Sequence, residues 1–152
     1  MRALKLGVCL LVIASVMWLG GEWTRTSVES WYPTLQKPFF NPPKWVFPVV
    51  WPILYIMMAI SFWLVWIKPA KRSFSYILFG WQLLLNLLWS YWFFKLQDPG
   101  YALLDIVLLW GVLLATVGAF FEESKLAGWL LVPYFLWVSF AVILNFEIWR
   151  LN

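Results

Sequence analysis

The sequence predicts an all-α membrane protein, a bundle of five transmembrane helices with one long loop between the first and second helices. Of its 152 residues, 64% are hydrophobic and only 12% are charged, and the mean hydropathy is +0.80. The chain also divides into apolar runs close to the roughly 20 residues that cross a ~30 Å hydrocarbon core as helix. We expect these runs to form a single domain spanning residues 1–152, and they are Ala3–Gly21, Trp45–Ile67, Ser73–Phe94, Tyr101–Phe121 and Leu126–Trp149.

The first run begins with basic residues, as a secretory signal peptide does, but no small-x-small cleavage motif follows it. We therefore expect a retained first helix. An odd number of helices places the two ends of the chain on opposite sides of the membrane. The basic group of Lys68, Lys71 and Arg72 favours a cytoplasmic N-terminus.

The stretch Glu22–Lys44 is much longer than the other connections, which are tight and make consecutive helices antiparallel neighbours. It carries five aromatic residues and four prolines, which argue against disorder and restrict the backbone. We expect a stiff lid over one end of the bundle. The alternative is a flexible linker whose aromatic residues touch lipid headgroups.

Polar residues in the third run recur at helical spacing. Gln82, Asn86 and Ser90 are each four residues apart, with Trp89 beside them, so one side of an apolar helix is polar. Asp105 lies about one turn inside the fourth run. Polar groups at this depth point into the bundle or a cavity, and a carboxylate there indicates a site. The alternative is that these side chains only bond the helices together.

The fifth run repeats this pattern with aromatic residues. Helical spacing places two aromatic rings, one small residue and one amide on a single face, formed by Tyr134, Trp137, Ala141 and Asn145. Such a face, like the polar side of the third helix, would be costly against lipid. We expect both to border the same space.

Fourteen tryptophans are present, and seven of them lie near the ends of the runs or in the flanks, where an interfacial belt explains them. Five do not fit that belt because they lie well inside the runs. Prolines, which bend a helix and free a backbone carbonyl, flank two of these five. Pro48 and Pro52 flank Trp51, and Pro133 precedes Trp137 by one turn, while the other three are Trp81, Trp89 and Trp110.

The chain contains no histidine and a single cysteine, Cys9. Histidine-based catalytic triads, histidine zinc sites and a proximal histidine for haem iron are therefore excluded, and we expect no metal site. An internal disulfide is excluded as well. The net charge of +4 comes mostly from residues that flank the helices, so we expect no nucleic-acid partner.

Several segments along the chain combine aromatic residues, prolines and amides in a distinctive order. They are Trp31-Tyr32-Pro33, Lys37 to Pro43, Trp51 to Tyr55, Gln82 to Phe94, Tyr101 to Asp105, Pro133 to Trp137 and Leu144 to Arg150. In this order they resemble the tryptophan-rich sensory protein and translocator protein family (TspO/MBR), also called the peripheral benzodiazepine receptors. The resemblance extends over essentially the whole chain.

The resemblance implies a five-helix membrane protein, often homodimeric, that binds porphyrins and synthetic isoquinoline or benzodiazepine ligands in a pocket closed by the loop after the first helix. It implies that Trp51 and Trp137 match positions involved in a light- and oxygen-dependent breakdown of protoporphyrin IX in bacterial relatives. By position, the implied pocket residues are Tyr32, Pro42, Phe47, Trp51, Tyr55, Asn86, Trp89, Asp105, Trp137, Ala141 and Asn145.

A tetrapyrrole suits these residues physically. A flat macrocycle stacks on indole faces, and we expect its propionates to reach Arg25, Lys37 or Lys44. Because no histidine is present to ligate iron, we expect metal-free porphyrin rather than haem. The porphyrin would be a ligand or substrate, and we expect no other cofactor.

Two features depart from the family pattern. The C-terminal cholesterol motif requires a tyrosine, but this chain has Phe146 beside Glu147, so we expect no dedicated cholesterol partner. The third helix, through which bacterial relatives can dimerise, offers only Gly80 among bulky residues. A ridge of small residues on the fourth helix suits a homodimer better, and it comprises Gly111, Ala115 and Ala119.

Three functions stay open from sequence. The first is a receptor or carrier for tetrapyrroles such as protoporphyrin IX. The second is a light-dependent porphyrin-degrading enzyme that uses Trp51 and Trp137, and the third is a regulatory membrane scaffold without a small ligand. We expect a multi-pass protein surrounded by membrane lipid, in a bacterial membrane, with the mitochondrial outer membrane as the alternative that the family leaves open.

Overall fold

The computed structural model describes residues 1–68 and 73–152. Within these residues, five helices are long and apolar enough to cross a membrane, and no strand occurs. The predicted all-α fold with five transmembrane helices is therefore confirmed. Of the basic group between the second and third helices, Lys71 and Arg72 lie outside the described residues. The helices are α1 (Arg2–Val28), α2 (Val46–Trp66), α3 (Ser73–Ser90), α4 (Pro99–Glu123) and α5 (Lys125–Leu151).

The helices form a ring in the order α1, α2, α5, α4, α3. Each packs on its two neighbours in this order, and the α4–α5 pair is joined by the single residue Ser124. The Ser124 side chain accepts a hydrogen bond from the Ala127 amide, as is typical of the residue that begins a helix. Apolar residues without solvent exposure fill the centre of the ring, among them Met58, Leu113 and Leu131.

The end of α1 corrects one sequence-based expectation. The apolar run stops at Gly21, and the loop was expected at Glu22–Lys44, but α1 continues to Val28. The Thr24 hydroxyl donates a hydrogen bond to the Gly20 carbonyl within the helix, and Arg25 forms an ion pair with Glu22 at 2.9 Å. An apolar run reports the thickness of the hydrocarbon layer, whereas a helix can extend beyond it.

Residues 29–45 connect α1 to α2 and are called the α1–α2 segment here. The segment contains a short 3₁₀ turn, Tyr32–Thr34, whose Tyr32 ring is buried against Phe93 and Phe94. The Tyr32 hydroxyl donates to Asn41 Oδ1 at 2.8 Å. Further along, the amide and carbonyl of Gln36 both bond to the side chain of Asn152, each at 3.0 Å. The segment therefore packs on the ends of the helices.

The end of α3 changes from α-helical to π-helical geometry over Tyr91–Lys95. Such wide turns are frequent at functional sites. The buried hydroxyl of Ser27 on α1 donates to the Phe94 carbonyl at 2.5 Å, so this turn is bonded to a neighbouring helix. Gln97 then adopts a positive φ of 58°, and Asp98 caps α4 by accepting from the amides of residues 100 and 101.

The close contact between α4 and α5 yields a stability prediction. A Cβ added at Gly128 would overlap the ring of Phe121, so we expect Gly128→Ala to lower the free energy of unfolding by about 1–3 kcal/mol through overpacking. Gly118→Ala is the matched control, since nothing lies within 4 Å of its Cβ position. Thermal unfolding in detergent, followed by circular dichroism, measures both. Equal melting temperatures for the two variants would contradict the contact.

Candidate ligand-binding cavity

A cavity of about 580 Å³ lies at the end of the bundle where the α1–α2 segment packs. Residues of α1, α2, α5, the end of α3 and the α1–α2 segment line it, and among the described residues α4 contributes none. This volume is typical of pockets for small organic ligands. The lining is mostly apolar and aromatic, with a few polar groups.

Two indoles, Trp51 of α2 and Trp137 of α5, form the aromatic wall of the cavity. Their ring centroids are 6.5 Å apart, and the rings meet edge to face at 87°. Phe47 and Tyr55 lie one helical turn on either side of Trp51, so α2 presents three aromatic rings along one face. Phe47 also contacts Trp137, with 6.1 Å between centroids, which closes the wall.

Trp89 of α3 supplies a third indole, and its orientation is held by hydrogen bonds. Its Nε1 donates to Asn145 Oδ1 at 2.9 Å, and Asn145 Nδ2 donates to the Pro99 carbonyl at 2.8 Å. The indole also stacks on Phe93 at 5.3 Å. One asparagine of α5 thus connects α3 to the start of α4 and fixes a ring at the cavity wall.

A second asparagine lies beneath the cavity floor. The hydroxyl of Tyr55 donates to Asn86 Oδ1 at 2.5 Å, and Asn86 Nδ2 donates to the Tyr134 hydroxyl at 2.8 Å. Asn86 and Tyr134 are almost completely buried. They do not line the cavity, but they join α2, α3 and α5 directly below it and hold the Tyr55 ring in place.

The structure brings eight of the eleven predicted site residues to the cavity wall: Tyr32, Phe47, Trp51, Tyr55, Trp89, Trp137, Ala141 and Asn145. Three lie elsewhere. Asn86 lies under the floor, Pro42 lies in the α1–α2 segment away from the lining, and Asp105 is buried on α4 with its Oδ2 unpartnered. Contact of any of the eleven with a ligand stays a prediction.

Charged residues line the cavity only at its mouth. They are Arg25 and Glu29 near the end of α1 and Lys44 just before α2. Lys37, expected as an alternative partner for acidic groups, does not line the cavity. Its Nζ donates to the Leu35 carbonyl at 2.9 Å and lies 4.8 Å from the centre of the Tyr32 ring. Burial, and then the charge of Lys44, lower the pKa of Lys37.

The α1 wall was not anticipated from the sequence. Its members occur at helical spacing, so they lie on one face of the helix. That spacing was the available signal, but small and aliphatic residues at such spacing are equally typical of helix packing. The members are Met17, Gly20, Gly21, Thr24 and Val28. Within the described residues, no group of three or more cysteine, aspartate or glutamate side chains is placed to hold a metal ion.

Comparison with known proteins identifies relatives of nearly the full length. The sequence model of the TspO/MBR family matches residues 8–150. The chain is 45% identical to the tryptophan-rich protein TspO of Chlorobaculum tepidum, over 99% of this chain and 98% of that protein. It is 40% identical to the translocator protein of Homo sapiens, over 88% of this chain and 82% of that protein. Together with the five apolar helices, these matches show a multi-pass integral membrane protein.

The bonds of Asn145 generate a prediction about the third indole. Asn145→Leu leaves the Trp89 N–H unpaired and removes the side-chain hydrogen bond to the Pro99 carbonyl, so we expect a loss of about 1–3 kcal/mol in the free energy of unfolding. Combining it with Trp89→Phe removes the unpaired N–H. The loss in the double variant should therefore be smaller than the sum of the single losses when chemical unfolding is measured in detergent. Strict additivity would show that the two side chains are not coupled.

Proposed function

The chain belongs to the TspO/MBR family, and from this premise and the cavity we propose that it is a membrane receptor or carrier for a metal-free tetrapyrrole, protoporphyrin IX or a close relative. The arrangement of the cavity carries the proposal: Trp51, Trp89 and Trp137 stand on its walls, and its charged groups stand at its mouth. Relatives are named translocator protein and tryptophan-rich sensory protein, names that suit carriage and sensing.

The indole walls suit a flat aromatic ligand. A macrocycle can stack on one indole while it meets a second edge-on, and Trp51 and Trp137 already stand at right angles to one another. The α5 wall adds apolar contacts from Ala141 and Leu144. The same walls would accept the smaller isoquinoline and benzodiazepine ligands, which are aromatic and uncharged over most of their surface.

The charge at the mouth suits an acidic edge of such a ligand. Arg25 lies on α1 and Lys44 in the α1–α2 segment, and both border the same opening, so two carboxylates on one edge of a macrocycle can pair with one cation each. The ring would then lie inward, against the indoles, with its acids outward. This orientation keeps the charges in contact with water and the apolar ring out of it.

A homodimer is the second part of the proposal. On α4, Gly111 and Ala115 are exposed and Ala119 is half-buried, and a Cβ at Gly111 would meet nothing within 4 Å. This ridge of small residues is open for a second copy to pack against. It lies on a helix that does not line the cavity, so association there would leave the lining unchanged.

A second candidate function is light- and oxygen-dependent degradation of the porphyrin. The contact between Trp51 and Trp137 favours it, because two oxidisable indoles meet at the wall where the ring would lie. An excited porphyrin would take one electron from the nearer indole, which leaves an indole radical. Dioxygen would then add across one carbon–carbon double bond of the reduced ring and open it to two carbonyl groups, which take up both oxygen atoms. One electron would return from the opened ring to the indole radical. This chemistry requires no proton-transfer pair and no metal.

The binding proposal predicts a difference between two tryptophan variants. Trp137→Phe removes part of the stacking surface, so we expect protoporphyrin IX to bind roughly fivefold more weakly, for a loss of about 1 kcal/mol. Trp81→Phe is the matched control, because Trp81 is 55% exposed and lies off the cavity. Quenching of tryptophan fluorescence on titration in darkness measures both dissociation constants. Equal affinities of Trp137→Phe and wild type, with both folded, would count against the cavity as the site.

The degradation candidate predicts light-driven loss of the porphyrin absorption band at a rate above that of the protein-free solution. Trp51→Phe or Trp137→Phe should reduce that excess at least tenfold if the indoles are the electron donors, a change of about 1.4 kcal/mol or more in the barrier. Trp110→Phe serves as control, because its Nε1 bonds Ser139 away from the cavity. Bleaching at the protein-free rate would exclude degradation and leave the binding proposal intact.

A further inference from the structure

Met17 is distinctive among the residues on the α1 wall of the cavity. The other uncharged α1 residues of the lining are Gly20, Gly21, Thr24 and Val28, none of which has an easily oxidised side chain. Met17 carries a thioether, which reacts with oxidants while packing as an apolar group. It lies about 16 Å below the C-terminal end of α1 by helical rise, so it borders the deep part of the cavity.

The position of α1 brings this thioether into the space that the indoles border. α1 packs on α2 and α3, while α5 packs on α2 and α4, so α1 and α5 face each other across the cavity. Met17 and Trp137 therefore belong to opposite walls. A flat ligand lying between those walls has the Trp137 indole on one side and the thioether on the other.

A metal-free porphyrin transfers light energy to dioxygen and so produces singlet oxygen at the place where it is bound. A thioether then reacts with one singlet oxygen and one water molecule to give one sulfoxide and one hydrogen peroxide. The sulfur loses two electrons and gains one oxygen atom, and the dioxygen is reduced to the level of peroxide. Methionine sulfoxide is polar, and dedicated reductases convert it back to methionine.

We propose that Met17 is a photooxidation site, and that its sulfoxide weakens tetrapyrrole binding so that light limits occupancy of the cavity. This inference rests on the proposed binding function. A sulfoxide on the α1 wall puts a strong dipole against the apolar ring, and the next α1 residues of the lining, Gly20 and Gly21, have no side chain that could donate a hydrogen bond to it. The expected weakening is about tenfold, the effect of burying one uncompensated polar group.

The remaining methionines of the chain serve as internal controls. Met58 has no solvent exposure and lies in the core, Met57 is half-buried on α2 away from the cavity, and Met1 is 99% exposed. Singlet oxygen formed within the cavity meets Met17 first. Singlet oxygen formed in the surrounding solution meets Met1 first.

The first experiment locates the oxidation. Wild-type protein in detergent is loaded with protoporphyrin IX, illuminated in air for graded doses, digested and analysed by peptide mass spectrometry. We expect the mass of one added oxygen on Met17 at doses at which Met57 and Met58 are at least fivefold less modified, and none in darkness. A water-soluble sensitiser without affinity for the protein should reverse the order and modify Met1 first. Oxidation of Met57 before Met17, or equal oxidation of both, overturns the inference.

The second experiment tests the effect on binding. After illumination and removal of the ligand, wild-type protein is titrated again with protoporphyrin IX in darkness, beside Met17→Leu treated in the same way. The indoles also react with singlet oxygen, and the Leu variant corrects for them because it retains all three. We expect wild type to lose about tenfold in affinity and Met17→Leu to lose less than twofold. Equal losses overturn the inference.

The two experiments distinguish this inference from the function on which it rests. Binding of protoporphyrin IX in darkness with an unmodified Met17 after illumination contradicts only the photooxidation site. Absence of binding in darkness contradicts the proposed function itself. If Met17→Leu fails to fold, the peptide analysis of wild type still decides where oxidation occurs.

Discussion

Inside a hydrocarbon layer, a buried N–H or hydroxyl has no water to bond with, so its partners have to come from the protein. Two asparagines meet this constraint at two levels of the bundle. Asn86 bridges Tyr55 and Tyr134, and Asn145 bridges Trp89 to the backbone at the start of α4. The floor of the cavity and the orientation of its third indole both depend on these bonds, because Asn86 fixes the Tyr55 hydroxyl and Asn145 fixes the Trp89 N–H.

The cavity itself depends on which neighbouring helices α1 packs against. At Gly20 the absence of a side chain lets α1 lie against α3, since a Cβ there would meet the Ser90 hydroxyl at 3.3 Å. Higher up, Ser27 bonds the π-helical end of α3 through the Phe94 carbonyl. Both contacts hold α1 on the α3 side of the ring and away from α5, so the space between α1 and α5 stays open.

Hydropathy predicted the five helices because a bilayer imposes one length on every span, and helical spacing predicted the lining face of α5. The α2 residues Phe47, Trp51 and Tyr55 followed from the family resemblance. Neither signal could locate the α1 wall. Gly20 and Gly21 are equally typical of a contact between packed helices, and the space between α1 and α5 is visible only once the five helices are assembled into the ring. The polarity of Asp105 indicated burial but not the side of the bundle it faces. Composition also could not show that Lys44 lines the cavity and Lys37 does not, because the position of each lysine depends on the path of the α1–α2 segment.

Among the described residues, α4 supplies many contacts to the bundle but none to the cavity lining. Its outward side, which includes Leu104, Leu108 and Leu114, is therefore insulated from whatever occupies the cavity. The surrounding lipid can vary, a probe can be attached and residues can be substituted on that side without altering ligand contacts. The molecule thus has an anchoring surface and a recognition surface that are free to diversify independently, although both belong to one bundle of only 152 residues.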